Sequence, residues 1–352
     1  LFYSLLCFSF NLRITQITHV GQHCLCQKFA SHKNKDLEKI SDRYLRVINY
    51  FWHKFNFMLS ICLPVYNFDV RQLAGQLSEQ GKKTGIPVEI LIFDDNSETG
   101  IKNGNRETTS IKYVKYKELP QNIGRAAIRN RLAETARYPY LLFLDADSLI
   151  PDNIFIKRYL NNIYNAKIIC GGTIYHKWPP EKVKLLRWMY GCQREELTPE
   201  QRQKKGFSIT TNNFLVSRDV MLQFPFRESI REYGHEDTVF GYDLCKAGIN
   251  IMHIENPVIH SGLESSPYYL EKTRKAIQNL LSVSQNLVPD REFVSHSGLL
   301  LLREKVKRTR LLKATGWLFQ KSERLLEKHL TGPAPRLWVF DLYKAGYICS
   351  LK

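Results

Sequence analysis

Three acidic groups in this chain are spaced for chemistry: Asp94-Asp95, Asp145-Ala146-Asp147 and Glu236-Asp237. The second is the most telling. Tyr140-Leu-Leu-Phe-Leu144 reads as a buried strand that delivers Asp145 and Asp147 at its exit. In open α/β sheets, ligands sit beyond the carboxyl ends of the strands, so carboxylates placed there face a ligand rather than the core. A divalent cation such as Mg²⁺ or Mn²⁺ takes one or two protein carboxylates and completes its shell with waters and phosphate oxygens, which suits a short Asp-x-Asp. The same Asp-Ala-Asp-Ser also makes a good turn and helix N-cap, and on these residues alone both readings stay open. Glu236 and Asp237 fall in the first turn of an expected helix, where the helix dipole favours acids whatever else they do. His23-Cys24-Leu-Cys26 has no second Cys/His pair at zinc-site spacing, so it reads as no more than a weak metal candidate.

The elements that position these groups alternate regularly. Met58–Tyr66 is expected as a buried strand, Asp69 to about Gln80 as a helix, Val88–Phe93 as a strand ending in Asp94-Asp95, and Ile111–Tyr116 as a short strand. A polar loop is expected at Asn103–Thr109, and a helix opens at Gln121. Beyond the Asp-x-Asp strand, Pro151 opens a helix to about Asn165, Lys167–Ile174 and Phe207–Val216 read as strands, and residues 175–206 lack any period. Gly191–Lys205 reads as a long mobile loop that closes over substrate. A helix from Glu236 to near Gly248, short extended segments at 249–254 and 257–260, and a helix at 270–287 follow. Strands alternating with helices predict a parallel sheet with crossover helices.

The chain has 352 residues, 43% hydrophobic content and a formal net charge of +17, which excludes a disordered class and points to an anionic partner. Twelve Lys/Arg against four Asp/Glu lie between Leu301 and Lys352, so the basic excess is concentrated at the C-terminus. There Leu311, Leu318 and Leu325 repeat every seven residues beside Leu312, Phe319 and Leu326, with Lys and Arg between. That pattern predicts an amphipathic basic helix interrupted by Gly316, which either lies on an acidic membrane surface or packs on the domain before it. Eight scattered cysteines show no disulfide framework and favour a reducing cytoplasm. No run reaches the ~18 apolar residues of a membrane span, and no signal peptide is recognisable, so a cytoplasmic protein, peripheral on the inner face of the membrane if the basic helix docks there, is expected. Residues 1–57 contain no Met and, apart from a short helix at 37–57, little period; they read either as an extension upstream of a natural start at Met58 or as an N-terminal accessory arm.

Six motifs in order carry a resemblance: Pro64-Val-Tyr-Asn67; Asp94-Asp95-Asn-Ser97; Asn122-Ile-Gly-Arg-Ala-Ala-Ile-Arg129-Asn130; Leu144-Asp-Ala-Asp147; Glu236-Asp237; and His260-Ser-Gly262. From about Met58 to Gly262 the chain resembles the family-two glycosyltransferases. The resemblance implies an α/β fold of GT-A type, a Rossmann-like, mostly parallel sheet flanked by helices, over residues 58–265, with a helical basic extension over 266–352. It implies a donor nucleotide sugar, usually UDP-linked, beside Pro64, Tyr66, Asn67, Asp94 and Asp95, with Gly124, Arg125 and Arg129 near its diphosphate and Asn213 near its sugar. Asp145 then faces the ribose or a metal-bound water, and Asp147 binds Mg²⁺ or Mn²⁺. His260 either completes that metal site or is a satisfied core histidine. Asp237, paired with Glu236, becomes the base for an inverting transfer to a hydroxyl of a glycan or lipid-linked acceptor, in cell-envelope polysaccharide synthesis. Trp178 and Trp188 are expected to stack on the acceptor. His235, inside Arg-Glu-Tyr-Gly-His-Glu-Asp, is a departure from the pattern.

Two rivals remain. A sugar-nucleotide-forming nucleotidyltransferase would open on a glycine-rich phosphate loop, which Cys62–Asp69 does not provide. A nucleic-acid-binding protein would use the positive charge, but the tail lacks the aromatics or recognised module of such binding, so no nucleic acid partner is expected.

Overall fold

The computed structural model describes residues 58–207 and 209–351; the expected extension 1–57 with its short helix, and the His23/Cys24/Cys26 group, lie outside the described residues. Among the described residues there are ten strands: β1 Leu59–Val65, β2 Val88–Asp94, β3 Val114–Glu118, β4 Tyr140–Leu144, β5 Ser148–Leu149, β6 Ile168–Cys170, β7 Thr173–Ile174, β8 Asn213–Ser217, β9 Ile251–His253 and β10 Val258–His260. Seven form one sheet in the order β3-β2-β1-β4-β8-β6-β9. Its β3-β2-β1-β4 half is parallel, β8 runs antiparallel to both neighbours, and β6 and β9 are again parallel. The mostly parallel α/β architecture is therefore as expected.

The sheet is covered on both faces because its strands alternate between two apolar layers. Leu59, Ile61, Leu63 and Val65 of β1, with Ile90 and Ile92 of β2 and Leu142 and Leu144 of β4, pack with Leu73, Ala74 and Leu77 of the helix Arg71–Thr84. The intervening Cys62, Leu91, Phe93, Leu141 and Phe143 pack on the other side with Ala126, Ile128 and Leu132 of the helix Arg125–Thr135. Strands buried on both faces appear in sequence as near-continuous apolar runs, which is why β1, β2 and β4 were readable.

Several expectations are corrected. The polar loop at 103–109 is largely helical, with a helix Thr99–Arg106 followed by a 3₁₀ turn Glu107–Ser110. The strand at 167–174 is split at Gly171-Gly172 into β6 and β7, which belong to different sheets. The helix after Pro151 covers only Phe155–Leu160, and the strand expected from Phe207 begins at Asn213. Gly191–Lys205, expected as a long loop, carries two short helical segments. A π-helical turn Gly191–Glu195 leads to the helix Pro199–Gln203, whose Thr198/Gln201 capping box satisfies its first turn. Arg202 then fastens it by donating to the carbonyls of Gly171 and Ile254 at 3.2 and 2.7 Å.

Residues beyond 265 are helical, including long helices at Ser266–Ser282, Leu312–Leu330 and Leu337–Ser350. The helix Leu312–Leu330 runs unbroken through Gly316, contrary to the interruption expected there. Gly316 instead marks a close crossing, because a Cβ on it would meet the Cys349 carbonyl oxygen at 3.1 Å. Phe319 is buried in this crossing with Phe340 and Tyr343. Among the described residues no helix is long and apolar enough to cross a membrane, and the cysteines are free.

Candidate active site

The carboxyl ends of β1, β2 and β4 open onto a cleft of about 340 Å³, which adjoins a second cavity of about 910 Å³. Arg125, Arg129, Asp145, Asp147, Tyr233 and Glu236 stand on both, so the two are parts of one groove. Pro64, Tyr66, Asp95 and Gly124 line only the smaller part, and Asp237 and His260 only the larger.

Asp95 shapes the smaller cleft. Its two carboxylate oxygens accept from the backbone N–H groups of Ile123 and Gly124 at 2.7 and 3.0 Å, which fixes the turn that starts the helix Arg125–Thr135. Burial pushes this carboxyl up against the pull of those two donors. Asp94, by contrast, is on neither cavity wall. It is fully buried and accepts from Ser97 N–H at 2.7 Å and Tyr116 O–H at 3.1 Å, the capped turn its sequence also allowed. Asn67 likewise ties the β1 exit to the β2 exit, its side chain accepting from Glu98 N–H at 2.7 Å and its N–H donating to Ser97 Oγ at 2.8 Å.

At the end of β4, Arg129 is buried and donates to Asp145 at 2.7 Å. This pair holds Asp145 toward the groove and commits Arg129 to a neighbour rather than leaving its fork open for a ligand. Arg125, one helical turn earlier, is half exposed, lies 3.8 Å from Glu236 and packs over the Tyr233 ring at 4.9 Å. The turn that Asp145-Ala-Asp-Ser148 makes is real, with Ser148 N–H returning to the Asp145 carbonyl at 3.1 Å. It coexists with the groove-facing carboxylates.

Asp147 meets His260 because β5 and β10 pair antiparallel, with Ser148 opposite His260. His260 Nδ1 stands 3.3 Å from Asp147 Oδ2, and its Nε2 is buried without a hydrogen-bond partner. Burial pushes the Asp147 carboxyl up, but the His260 contact and the charges of Arg125 and Arg187 outweigh it and hold the carboxyl below its usual range. Gly262 lies so close that a Cβ there would collide with the Asp147 carboxylate. No third His, Cys, Asp or Glu joins them into a metal cluster among the described residues. A carboxylate and an imidazole beside an open groove suit a divalent ion that takes its other ligands from water and phosphate.

Glu236 and Asp237 open the helix Glu236–Lys246. Glu236 is buried, and Asp237 accepts from Thr238 N–H at 2.7 Å through Oδ1. Burial first, and the Glu236 charge second, push the Asp237 carboxyl up to about 6, a value suited to a base working near neutrality. His235 adds no charge near pH 7, because burial lowers it to about 4. Its φ of 71° sets the residue as a left-handed start to the helix.

Asn213 is corrected outright. It is fully buried and lines neither cavity; its side chain accepts from Tyr159 O–H at 2.6 Å and donates to the carbonyls of Gly172 and Asn256 at 2.8 and 2.9 Å. Its neighbour Asn212 reaches the groove. Asn213→Ala is therefore expected to lower stability by about 1–3 kcal/mol, the cost of orphaned buried polar groups, and to leave donor affinity nearly unchanged. Thermal and urea unfolding beside nucleotide-sugar titration checks this; a large affinity loss in a stable variant would return Asn213 to the site. The aromatic placements also change. Trp178 is 83% exposed and Trp188 Nε1 donates to the His176 carbonyl, and neither lines the groove. Tyr175, Tyr190 and Tyr233 do, and sequence reasoning missed them because they come from an aperiodic stretch and a loop.

The mostly parallel sheet flanked by helices is an α/β fold of GT-A type. Residues 60–222 match the glycosyl transferase family 2 model, and over this stretch the chain is a family 2 glycosyltransferase. Glu236, Asp237 and His260 lie beyond that match. An uncharacterized glycosyltransferase of Haemophilus influenzae is 28% identical over 201 residues, covering 54% of this chain and 72% of that protein. Chondroitin synthase of Escherichia coli is 33% identical over 106 residues, 29% of this chain but only 15% of that protein. Among solved structures, a mannosyltransferase from Pyrobaculum calidifontis in complex with GDP-Man and Mn²⁺ shares the fold, with TM-score 0.54, 13% identity, and coverage of 83% of this chain and 85% of that one.

Proposed function

We propose that this glycosyltransferase moves a sugar from a nucleotide-sugar donor, UDP-linked by preference, to an acceptor hydroxyl with inversion. The observation that carries this reading is the convergence of Asp95, Asp145, Asp147, Asp237 and His260, from separate elements, on one continuous groove. The nucleotide occupies the smaller part, against Pro64, Tyr66 and the turn fixed by Asp95, with the half-exposed Arg125 turning to its phosphate oxygens. Arg129 acts one step back by holding Asp145.

Asp147 and His260 would hold a divalent metal, Mg²⁺ or Mn²⁺, which would supply electrostatic stabilisation to a departing diphosphate. The acceptor enters the larger part, a glycan or lipid-linked saccharide of the cell envelope. Asp237 takes the proton of its hydroxyl as the oxygen attacks the anomeric carbon and the bond to the diphosphate breaks. A single displacement inverts that carbon. The tyrosines of the groove offer faces for the acceptor rings.

A thermal-shift screen of UDP- and GDP-sugars with Mn²⁺ or Mg²⁺ tests the reading, because a ligand of the folded state raises the unfolding temperature. A metal-dependent shift with a UDP-sugar, followed by UDP release in the presence of acceptor, is expected. Release of pyrophosphate from a sugar phosphate and UTP would establish the nucleotidyltransferase instead.

A further inference from the structure

The two seven-residue stripes of the C-terminal helix have separate fates. Phe319 is buried and Leu312 and Leu326 pack against the body, but Leu311, Leu318 and Leu325 face outward, 55, 61 and 72% exposed. Of the thirteen large apolar side chains exposed among the described residues, six lie between Leu311 and Leu342, the others of this group being Trp317, Trp338 and Leu342. Nearly half of the exposed large apolar side chains thus fall in one stretch of the chain.

Charge is sorted across the same helix. Its two acids, Glu323 and Glu327, turn toward the body, where both accept from Arg274 and Glu327 also accepts from Tyr343 O–H. Lys313, Lys321, Arg324 and Lys328 are exposed, and none has a carboxylate partner among the described residues. At about 100° per residue, these four cations with Trp317, Leu318 and Leu325 fall in an arc of roughly 140°. The outward face thus carries cations and apolar side chains and no acid.

We propose that this face docks on a bilayer surface rich in anionic lipid, with Leu318, Leu325 and Trp317 entering the headgroup boundary and the cations meeting lipid phosphates. A nucleic acid would engage the cations but leave the leucine ridge in water. A second copy of the chain would bring the same unpaired cations face to face. An anionic bilayer satisfies both halves of the face at once. Such docking does not depend on the donor or the acceptor assigned above.

The test is co-sedimentation of the full chain with vesicles of equimolar phosphatidylcholine and phosphatidylglycerol, beside vesicles of phosphatidylcholine alone. Strong, salt-sensitive binding to the mixed vesicles and weak binding to the neutral ones are expected. Lys321→Gln/Arg324→Gln is expected to weaken mixed-vesicle binding about fivefold for each cation removed. Leu318→Ser/Leu325→Ser is expected to weaken it at least about tenfold. All four side chains are exposed, so both variants are expected to unfold at the wild-type temperature, which the same preparations report. Equal binding to the two vesicle types, or wild-type binding by both variants, overturns the proposal. Absence of vesicle binding together with self-association that Leu318→Ser/Leu325→Ser abolishes also overturns it, and assigns the face to a second copy.

Discussion

Asp237→Asn is expected to lower glycosyl transfer by about 10²–10⁴-fold, the usual worth of a positioned general base, while nucleotide-sugar affinity stays within a small factor. The separation arises because Asp237 lines only the larger part of the groove and is absent from the wall beside Asp95 and Pro64. The pH profile gives an independent check. Because burial and Glu236 raise the Asp237 carboxyl to about 6, the working carboxylate is lost as pH falls through that value. Wild-type kcat/KM is therefore expected to drop about tenfold per pH unit below 6 and to level off above it. Glu236→Gln removes the like charge, lowers the Asp237 pKa and moves the acid limb to lower pH. Near-normal transfer by a folded Asp237→Asn protein, or an acid limb unchanged in it, would remove Asp237 from the role.

Asp147→Asn keeps the side-chain volume and removes the negative charge that a metal needs. Transfer is expected to fall by about 10²-fold or more, in line with the several kcal/mol that a metal ion supplies to a leaving diphosphate. Donor affinity is expected to become insensitive to Mn²⁺. His260→Ala, which leaves the carboxylate in place, is expected to do less harm and to recover with added Mn²⁺. Calorimetric titration of the donor with Mn²⁺ and with chelator decides the matter. Undiminished donor binding by the wild-type protein in chelator would exclude a metal held by this pair.

How much was legible follows from which forces fixed each residue. Strands β1, β2 and β4 were readable because both faces are buried, and Asp95, Asp145 and Asp147 because they sit at strand exits, where topology alone says what they face. Asn213 was misplaced by a single residue. Alternate strand residues point to opposite sides, so the groove received Asn212 while Asn213 went to the interior. The helix at Thr99–Arg106 was hidden because Thr-Gly-Ile-Lys-Asn-Gly-Asn-Arg has weak helix propensity. Distant backbone holds it: Asn105 accepts from Val70 N–H at 3.0 Å and donates to the Phe68 carbonyl at 2.9 Å. The segment 191–205 looked structureless for a similar reason, since Arg202 is secured by carbonyls far away in sequence. Period showed that the C-terminal helix had two apolar stripes. Which one is covered depends on the crossing at Gly316 and on Arg274 turning Glu323 and Glu327 inward, and no local pattern encodes either.

The pairing of β5 with β10 bears on how the enzyme comes into being. Ser261 donates to the Asp147 carbonyl at 2.7 Å across 114 positions of chain, so the partner of the Asp-x-Asp turn leaves the ribosome long after the turn itself. Synthesis runs from N- to C-terminus, and a nascent chain that has already released β1 to β4 has neither His260 nor Asp237 beside Asp147. The groove itself is likewise incomplete until Tyr233 and Glu236, which stand on both of its parts, have been made. On the roles proposed for Asp147, Asp237 and His260, competence to cleave the donor is expected only once β10 has joined β5.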